Sequence, residues 1–172
     1  MLIGLMAKNG ILLVEFAGAE QDLLRKKLRD LDEMMGAHGF PNCVVEVIDP
    51  GFQKEVWDVR KSGLNIMMSM KGDGKPISCI EDCAVELPDL AEYTSRLNEL
   101  FAKYGTTGTW YAHASVGCLH VRPVLNMKQD LGVRQLRAIT EETFAIVREY
   151  KGSHSGEHGD GLVRSEFHEV MF

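Results

Sequence analysis

Two predicted strands with almost no chain between them constrain the fold more than any other feature of this sequence. The residue pattern predicts strands at about 107–114 and 118–124, and only residues 115–117 separate them. A parallel pair would need a crossover connection of about a dozen residues, so these two strands must run antiparallel. An all-parallel sheet is therefore excluded.

The remaining elements alternate between strands and amphipathic helices. Further strands are predicted at 11–16, 43–48 and 77–85. Helices are predicted where apolar residues recur at helical spacing, at about 24–35, 52–70, 90–104 and 136–150. This order favours an α+β fold with an antiparallel sheet, helices packed mainly on one face, and a ferredoxin-like arrangement. No repeat or linker divides the chain, which predicts a single domain over residues 1–172.

Composition excludes several classes of function. The formal net charge is −6 with no long run of Lys or Arg, so nucleic acid is not an expected partner. No apolar stretch approaches the ~20 residues that a membrane span needs. The four cysteines contain no C-x-x-C pair, which disfavours an iron–sulfur or structural zinc site built on them. We expect them to be reduced thiols of a cytoplasmic protein.

Four of the six histidines fall in two short segments that contain glycines. His113 and His120 lie within the two adjacent predicted strands, and His154 and His158 lie in the second segment. A two-residue turn at Val116-Gly117 would place His113 directly opposite His120, with Arg122 on the same face. Directly opposed Cβ atoms lie ~5 Å apart, close enough for two imidazoles to bind one zinc ion. A longer loop would change this register. From the pattern alone, two half-exposed histidines on a polar sheet face remain an alternative.

The second segment, residues 152–161, adds a carboxylate and another imidazole at Glu157-His158. The flanking Gly156 and Gly159 permit a close approach of the backbone to a ligand. Two imidazoles and one carboxylate are the three protein ligands typical of catalytic zinc, which keeps an open position. An imidazole without a metal can also serve as a base near neutral pH. The alternative is a flexible loop whose polar side chains are merely solvated.

At these two segments the sequence resembles the C-terminal domain of FAD-linked oxidases of the vanillyl-alcohol oxidase type, which includes D-lactate, glycolate and D-2-hydroxyglutarate dehydrogenases. The matching motifs are His113-x-x-x-Gly117-x-Leu119-His120 and Gly156-Glu157-His158-Gly159-x-Gly161. Four further segments resemble the large bacterial branch, in which the flavin enzyme is fused to an iron–sulfur region. They are Trp57-x-x-Arg60, Ile80-Glu81-Asp82-Cys83-Ala84-Val85, Val121-Arg122-Pro123-Val124-Leu125-Asn126-Met127 and Val163-Arg164-Ser165-Glu166.

The resemblance implies roles for individual residues. In metal-containing members, the residues matching His113, His120 and Glu157 hold zinc beside the substrate hydroxyl group, and the one matching His158 is the base. An arginine matching Arg60 binds the substrate carboxylate, although by spacing alone Arg60 is a residue of a helix surface.

Arg122 stands where many relatives carry a smaller polar residue, and it could hold a second carboxylate or the same one. The segment Ser115-Val116-Gly117-Cys118 departs from the commoner polar form of the motif, and Asp82 falls where some relatives use a lysine. These departures concern the identity of the substrate more than the type of reaction.

The family binds FAD mainly through an N-terminal domain that this sequence does not resemble, and an iron–sulfur cluster would lie elsewhere in the parent protein. The resemblance thus implies that residues 1–172 are a substrate-side cap domain excised from a longer flavoenzyme and inactive alone. The parent would oxidise a D-2-hydroxy acid to the 2-oxo acid, with that acid and the remaining domains as partners. Two alternatives stay open, a stand-alone zinc-dependent hydrolase and a non-catalytic ferredoxin-like binding module.

Overall fold

The computed structural model describes residues 3–7 and 10–172, which divide into two compact units, the described residues up to 63 and residues 64–172. In the N-terminal unit, β1 (Ile3–Ala7) pairs antiparallel with β2 (Gly10–Leu12). Helix α1 (Gln21–Ala37) follows, and α2 (Pro50–Met68) begins further along the chain. The prediction of a single domain excised from a longer flavoenzyme stays a prediction.

The helices of this unit agree with the sequence pattern better than its strands do. Asp49 caps α2, since its Oδ1 accepts the N–H of Phe52 at 2.8 Å, and Pro50 suits the first helical position. The strand predicted at 11–16 ends at Leu12 instead. The strand predicted at 43–48 is wrong, because no strand among the described residues pairs with it. An apolar run becomes a strand only where a partner takes up its backbone hydrogen bonds.

The C-terminal unit is built around one central strand, β6 (Cys118–Leu125). All its partners run antiparallel to it: β3 (Lys75–Pro76), β4 (Cys83–Ala84) and β5 (Gly108–His113). The helices are α3 (Leu90–Lys103), α4 (Asp130–Glu149), and the short α5 (Gly161–Arg164) and α6 (His168–Met171). The predicted α+β class with an antiparallel sheet is confirmed.

Alternation along β6 separates the core from a second, polar face. Leu119, Val121 and Leu125 join the hydrophobic core with residues of α3 and α4. Since successive side chains of a strand point to opposite faces, His120 and Arg122 lie on the other face, where both are nonetheless buried. This face carries the chemistry described below.

The hairpin between β5 and β6 differs from the predicted two-residue turn. A 3-10 turn over Ala114–Val116 leads to Gly117 in the left-handed region, at φ +68°. His113 therefore pairs with Cys118, and Tyr111 is the residue directly opposite His120. The predicted direct pairing of His113 with His120 is wrong by two residues. A shift of two preserves the face, so these histidines remain diagonal neighbours on one side of the hairpin.

The strand predicted at 77–85 is also interrupted. Residues 78–82 form turns between β3 and β4, and Asp82 there has a φ of +79°. All four cysteines are free thiols, as expected. Within the described part of the chain, no helix combines the length and apolar character required to cross a membrane.

Candidate metal and substrate site

Three imidazoles and one carboxylate converge beside the polar face of the hairpin. His113 ends β5, His120 lies within β6, and Glu157 and His158 belong to the loop between α4 and α5. Oε1 of Glu157 lies 3.2 Å from Nε2 of His113, 3.0 Å from Nε2 of His120 and 3.3 Å from Nε2 of His158. The structure thus brings together the three predicted metal ligands and the predicted base.

The spacing of these atoms fits a metal ion. Donor atoms around a tetrahedral zinc ion with bonds of ~2.0–2.1 Å are separated by ~3.3 Å, and the distances from Oε1 of Glu157 to Nε2 of His113 and of His120 are close to that value. The rings of His113 and His120 have centroids 5.1 Å apart and are nearly perpendicular, so neither blocks the other. The donor set of two imidazoles and one carboxylate therefore suits zinc.

The electrostatics of His120 favour the ligand form of its ring. Burial lowers the pKa of His120, and the neighbouring charge of His158 lowers it further. The imidazole is therefore neutral at pH 7, and a neutral ring offers a lone pair to a metal. His113, Glu157 and His158 are about half exposed, which leaves the cluster accessible from one side.

Asp82 holds the loop that carries Glu157 and His158. Its fully buried carboxylate accepts the backbone N–H of Glu157 at Oδ1 and that of His158 at Oδ2, each at 2.9 Å. The N–H of Gly156 donates to the Asp82 carbonyl oxygen at 2.7 Å. A Cβ at Gly156 would lie 3.0 Å from that oxygen, which explains the glycine. Because both carboxylate oxygens of Asp82 accept these bonds, Asp82 supports the ligands.

Arg164 fixes the same loop from a second direction. Its buried guanidinium donates to the carbonyl oxygens of Glu81 and Gly159, and to that of His154 at 3.2 Å. Nη2 lies 3.5 Å from Oδ2 of Asp82. Sequence reasoning missed these roles of Asp82 and Arg164. Both residues lie in segments that resemble the family, residues 80–85 and 163–166, and that resemblance could have indicated a role for them.

The predicted substrate-binding arginines lie in different units. Arg122 is buried beside the cluster, where it forms an ion pair with Glu81 and lies 3.3 Å from the Tyr111 hydroxyl group. Glu81 in turn places Oε1 3.3 Å from Nδ1 of His158. Arg60 lies on α2 in the N-terminal unit, and its role with substrate stays a prediction.

The nearby cysteines are buried thiols with raised pKa values. Burial raises the pKa of Cys118 to about 12, with a further contribution from Asp82, and burial raises the pKa of Cys83 to about 12. Both thiols therefore stay protonated at neutral pH when no metal ion is bound.

Acid is expected to weaken the fold through Asp82. Burial raises the pKa of this carboxyl group, but the hydrogen bonds from the N–H groups of His158 and Glu157, and the charges of His158 and Arg164, lower it overall. A lowered folded-state pKa contributes stability that is present above the ordinary value of about 3.9 and is lost as the pH falls through the folded value. Urea unfolding from pH 6 to pH 2 should show this loss.

The variant Asp82→Asn tests the assignment. It should lower the free energy of unfolding at pH 7 by about 1–3 kcal/mol, because one loop N–H loses its hydrogen-bond acceptor. It should also flatten the acid limb, which is the fall in the free energy of unfolding between pH 6 and pH 2. The exposed Asp32 provides a control, since Asp32→Asn should leave both the stability and the acid limb unchanged. Acid limbs of equal slope in Asp82→Asn and the unmodified chain would contradict the role of Asp82.

Several known proteins are similar to this chain in sequence. The chain is 30% identical to a D-2-hydroxyglutarate dehydrogenase of Pseudomonas putida over 92% of its own length and 16% of that protein. It is likewise 30% identical to one of Pantoea ananatis, over 95% of the chain and 16% of the relative. A glycolate oxidase subunit GlcD of Bacillus subtilis is 25% identical over 66% of the chain and 23% of the relative.

The chain thus spans about one sixth of the length of the D-2-hydroxyglutarate dehydrogenases that it matches. The family described as FAD linked oxidases, C-terminal domain, matches residues 5–172, nearly the whole sequence. This chain belongs to the family of C-terminal domains of FAD linked oxidases.

Proposed function

We propose that this chain is the substrate-side domain of an FAD-dependent dehydrogenase that oxidises a D-2-hydroxy acid to the 2-oxo acid. Membership of the family supports the flavin, and the names of the relatives support the class of substrate. The observation that carries the proposal is the convergence of three imidazole Nε2 atoms on Oε1 of Glu157. We place the parent protein in the cytoplasm. Its other domains, outside these 172 residues, would hold FAD and an iron–sulfur cluster.

In this proposal His113, His120 and Glu157 hold a zinc ion. When bound, the ion supplies Lewis acidity, which favours loss of a proton from a neighbouring hydroxyl group. The neutral state of His120 and the rigid support of Glu157 by Asp82 prepare the ligands before the ion arrives. Less reorganisation is then needed on binding.

His158 is the proposed base, and it takes the hydroxyl proton at Nε2. Its Nδ1 lies 3.3 Å from Oε1 of Glu81, so a proton on Nδ1 would face a carboxylate. The lone pair of Nε2, which lies 3.3 Å from Oε1 of Glu157, would then accept the substrate proton. Arg122 holds Glu81 by an ion pair, which fixes the orienting carboxylate. Each of these groups therefore supports one proton transfer at a defined atom.

Arg60 is the proposed clamp for the substrate carboxylate, because a guanidinium can bind a carboxylate through two parallel hydrogen bonds. Such a clamp orients C2 of the acid. Arg122 pairs with Glu81 through Nη2, whereas its buried Nη1 makes no hydrogen bond and could bind a second carboxylate. FAD, when bound, supplies the acceptor for the hydride that leaves C2.

Flavin reduction in the intact protein tests this function. The oxidised enzyme, free of oxygen, would be mixed separately with D-2-hydroxyglutarate, D-lactate and glycolate while the flavin absorbance is followed. We expect at least one acid to bleach the flavin, and Arg60→Met to raise KM more than it lowers kcat. No bleaching by any of the three acids would refute the proposal.

A separate assay tests the alternative function as a zinc-dependent hydrolase. The half-exposed cluster with three protein ligands also has the composition of a hydrolytic zinc site. The isolated chain with zinc would be assayed on ester and phosphate substrates without flavin. Activity that disappears in His120→Ala would favour a hydrolase over the dehydrogenase.

Removing one ligand is expected to weaken zinc binding strongly. His113→Ala should lower the affinity of the cluster by more than about 100-fold, because even a group that only supports a ligand is worth about 10–100-fold. The side chain is 49% exposed, so the variant should fold. Isothermal titration calorimetry of the metal-free chain with zinc measures the change in affinity. The variant His38→Ala, at an exposed position, is the control. Equal affinities in His113→Ala and His38→Ala would contradict the assignment.

A further inference from the structure

A second group of metal-binding side chains lies at the end of the same loop and shares no residue with the first. It contains His154, Asp160 just before α5, and His168 at the start of α6. Nε2 of His154 lies 3.2 Å from Oδ1 of Asp160, and Nε2 of His168 lies 2.7 Å from Oδ2. One carboxylate therefore lies between two imidazoles.

The buried atoms of this group lack the partners that such atoms normally have. His154 is fully buried, yet neither of its ring nitrogens makes a hydrogen bond, and Oδ1 of Asp160 is also buried without one. Nε2 of His154 and Oδ1 of Asp160 are close but not aligned for a hydrogen bond. Since nearly all buried polar atoms in proteins are satisfied, this arrangement indicates a missing third group between them.

We propose that His154, Asp160 and His168 bind a second divalent transition-metal ion, of which zinc best suits two imidazoles and a carboxylate. The rings of His154 and His168 have centroids 5.3 Å apart and planes at 80°. Two imidazoles bound through Nε2 to one tetrahedral zinc ion at ~2.0–2.1 Å would have centroids ~5 Å apart. The two rings are therefore already at the spacing that the ion requires.

The surroundings of His154 favour binding of an ion away from bulk solvent. Its side chain is fully buried. The rings of Phe144 and Phe172 pack against His154 with centroids 5.2 and 5.5 Å away, which limits the access of water. Asp160 supplies the negative charge, although Nε of Arg164 lies 3.5 Å from its Oδ1.

The position of the ion defines its role. Asp160 follows His158 by two residues, and His168 belongs to the C-terminal helix α6. An ion shared by these side chains would tie the end of the catalytic loop to that helix. We therefore assign it a structural role, separate from the ion that Glu157 would bind.

Zinc stoichiometry of the 172-residue chain tests the proposal. After removal of metal with a chelator, titration with zinc should show two equivalents bound to the unmodified chain and to the control His38→Ala. His168→Ala should lose one equivalent and retain the other, whereas His113→Ala should lose the other one. Titration with Co²⁺ should show tetrahedral d–d absorption that falls in each variant. Zinc binding at each of the two sites can thus be lost independently of the other.

His168 is suitable for substitution because its side chain is 51% exposed, and His168→Gln provides a second variant of similar size. Circular dichroism would establish that both variants fold. The proposal is overturned if the unmodified chain binds no more than one equivalent and His113→Ala removes it. It is also overturned if both His168 variants bind as much zinc as the control, which would leave a buried water as the missing partner of His154.

Discussion

Replacing His158 with alanine in the intact flavoenzyme is expected to lower kcat by about 10²–10⁴-fold, the usual contribution of a general base. The loop should keep its conformation, because Asp82 binds the backbone N–H of His158 and not its side chain. The ring is 42% exposed and stacks on His120 at 4.8 Å, so its removal leaves no closed cavity. The rate of flavin reduction in single-turnover experiments measures the effect on the chemical step directly.

Two further variants separate loss of the base from loss of packing. His158→Gln keeps a polar side chain but cannot accept the proton, so it should be as slow as His158→Ala. His38→Ala, in the N-terminal unit, should retain full activity. A kcat within about twofold of the unmodified enzyme in His158→Gln would exclude His158 as the base.

Alanine at Gly117 is expected to have the largest effect on stability, a loss of about 3–5 kcal/mol in the free energy of unfolding. Gly117 has a φ of +68°, and a Cβ there would lie 1.8 Å from the carbonyl oxygen of Val85. Because that oxygen belongs to the backbone, no side-chain movement can relieve the clash. Residues 114–117 also set the register of β5 and β6, so the variant should bind zinc poorly.

Gly105 offers a matched control for this substitution. Its φ is +65°, but a Cβ there would meet no atom within 4 Å. Gly105→Ala should therefore cost only the left-handed conformation, about 1–2 kcal/mol. Chemical denaturation of both variants gives the difference, which isolates the clash. Equal losses in the two variants would show that Val85 has moved away and that the hairpin is less rigid than described.

The sequence predicts the elements with local signals and misses those that depend on distant contacts. Helical spacing was sufficient for α1, α3 and α4, and the short connection at 115–117 was sufficient for the antiparallel pair. The register of that pair was wrong because Gly117 packs against Val85, more than thirty residues earlier, and this contact favours a longer turn. Likewise the strand predicted at 43–48 had the right composition but no partner.

The candidate site shows the same division. His113, His120, Glu157 and His158 were identifiable because they stand in two short motifs. The role of Asp82 was not identifiable, because its carboxylate accepts hydrogen bonds from the backbone N–H groups of Glu157 and His158. Hydrogen bonds to the backbone leave no residue pattern in the sequence. The group formed by His154, Asp160 and His168 was also missed, because His168 enters it from a separate helix.

We propose that one metal ion binds among His113, His120 and Glu157. Anomalous diffraction at the zinc absorption edge, from crystals of the chain grown with zinc, would locate that ion. We predict an anomalous peak ~2.0–2.1 Å from Nε2 of both histidines and from a carboxylate oxygen of Glu157. Zinc peaks elsewhere on the chain, with none between these three side chains, would show that this cluster is not the metal site.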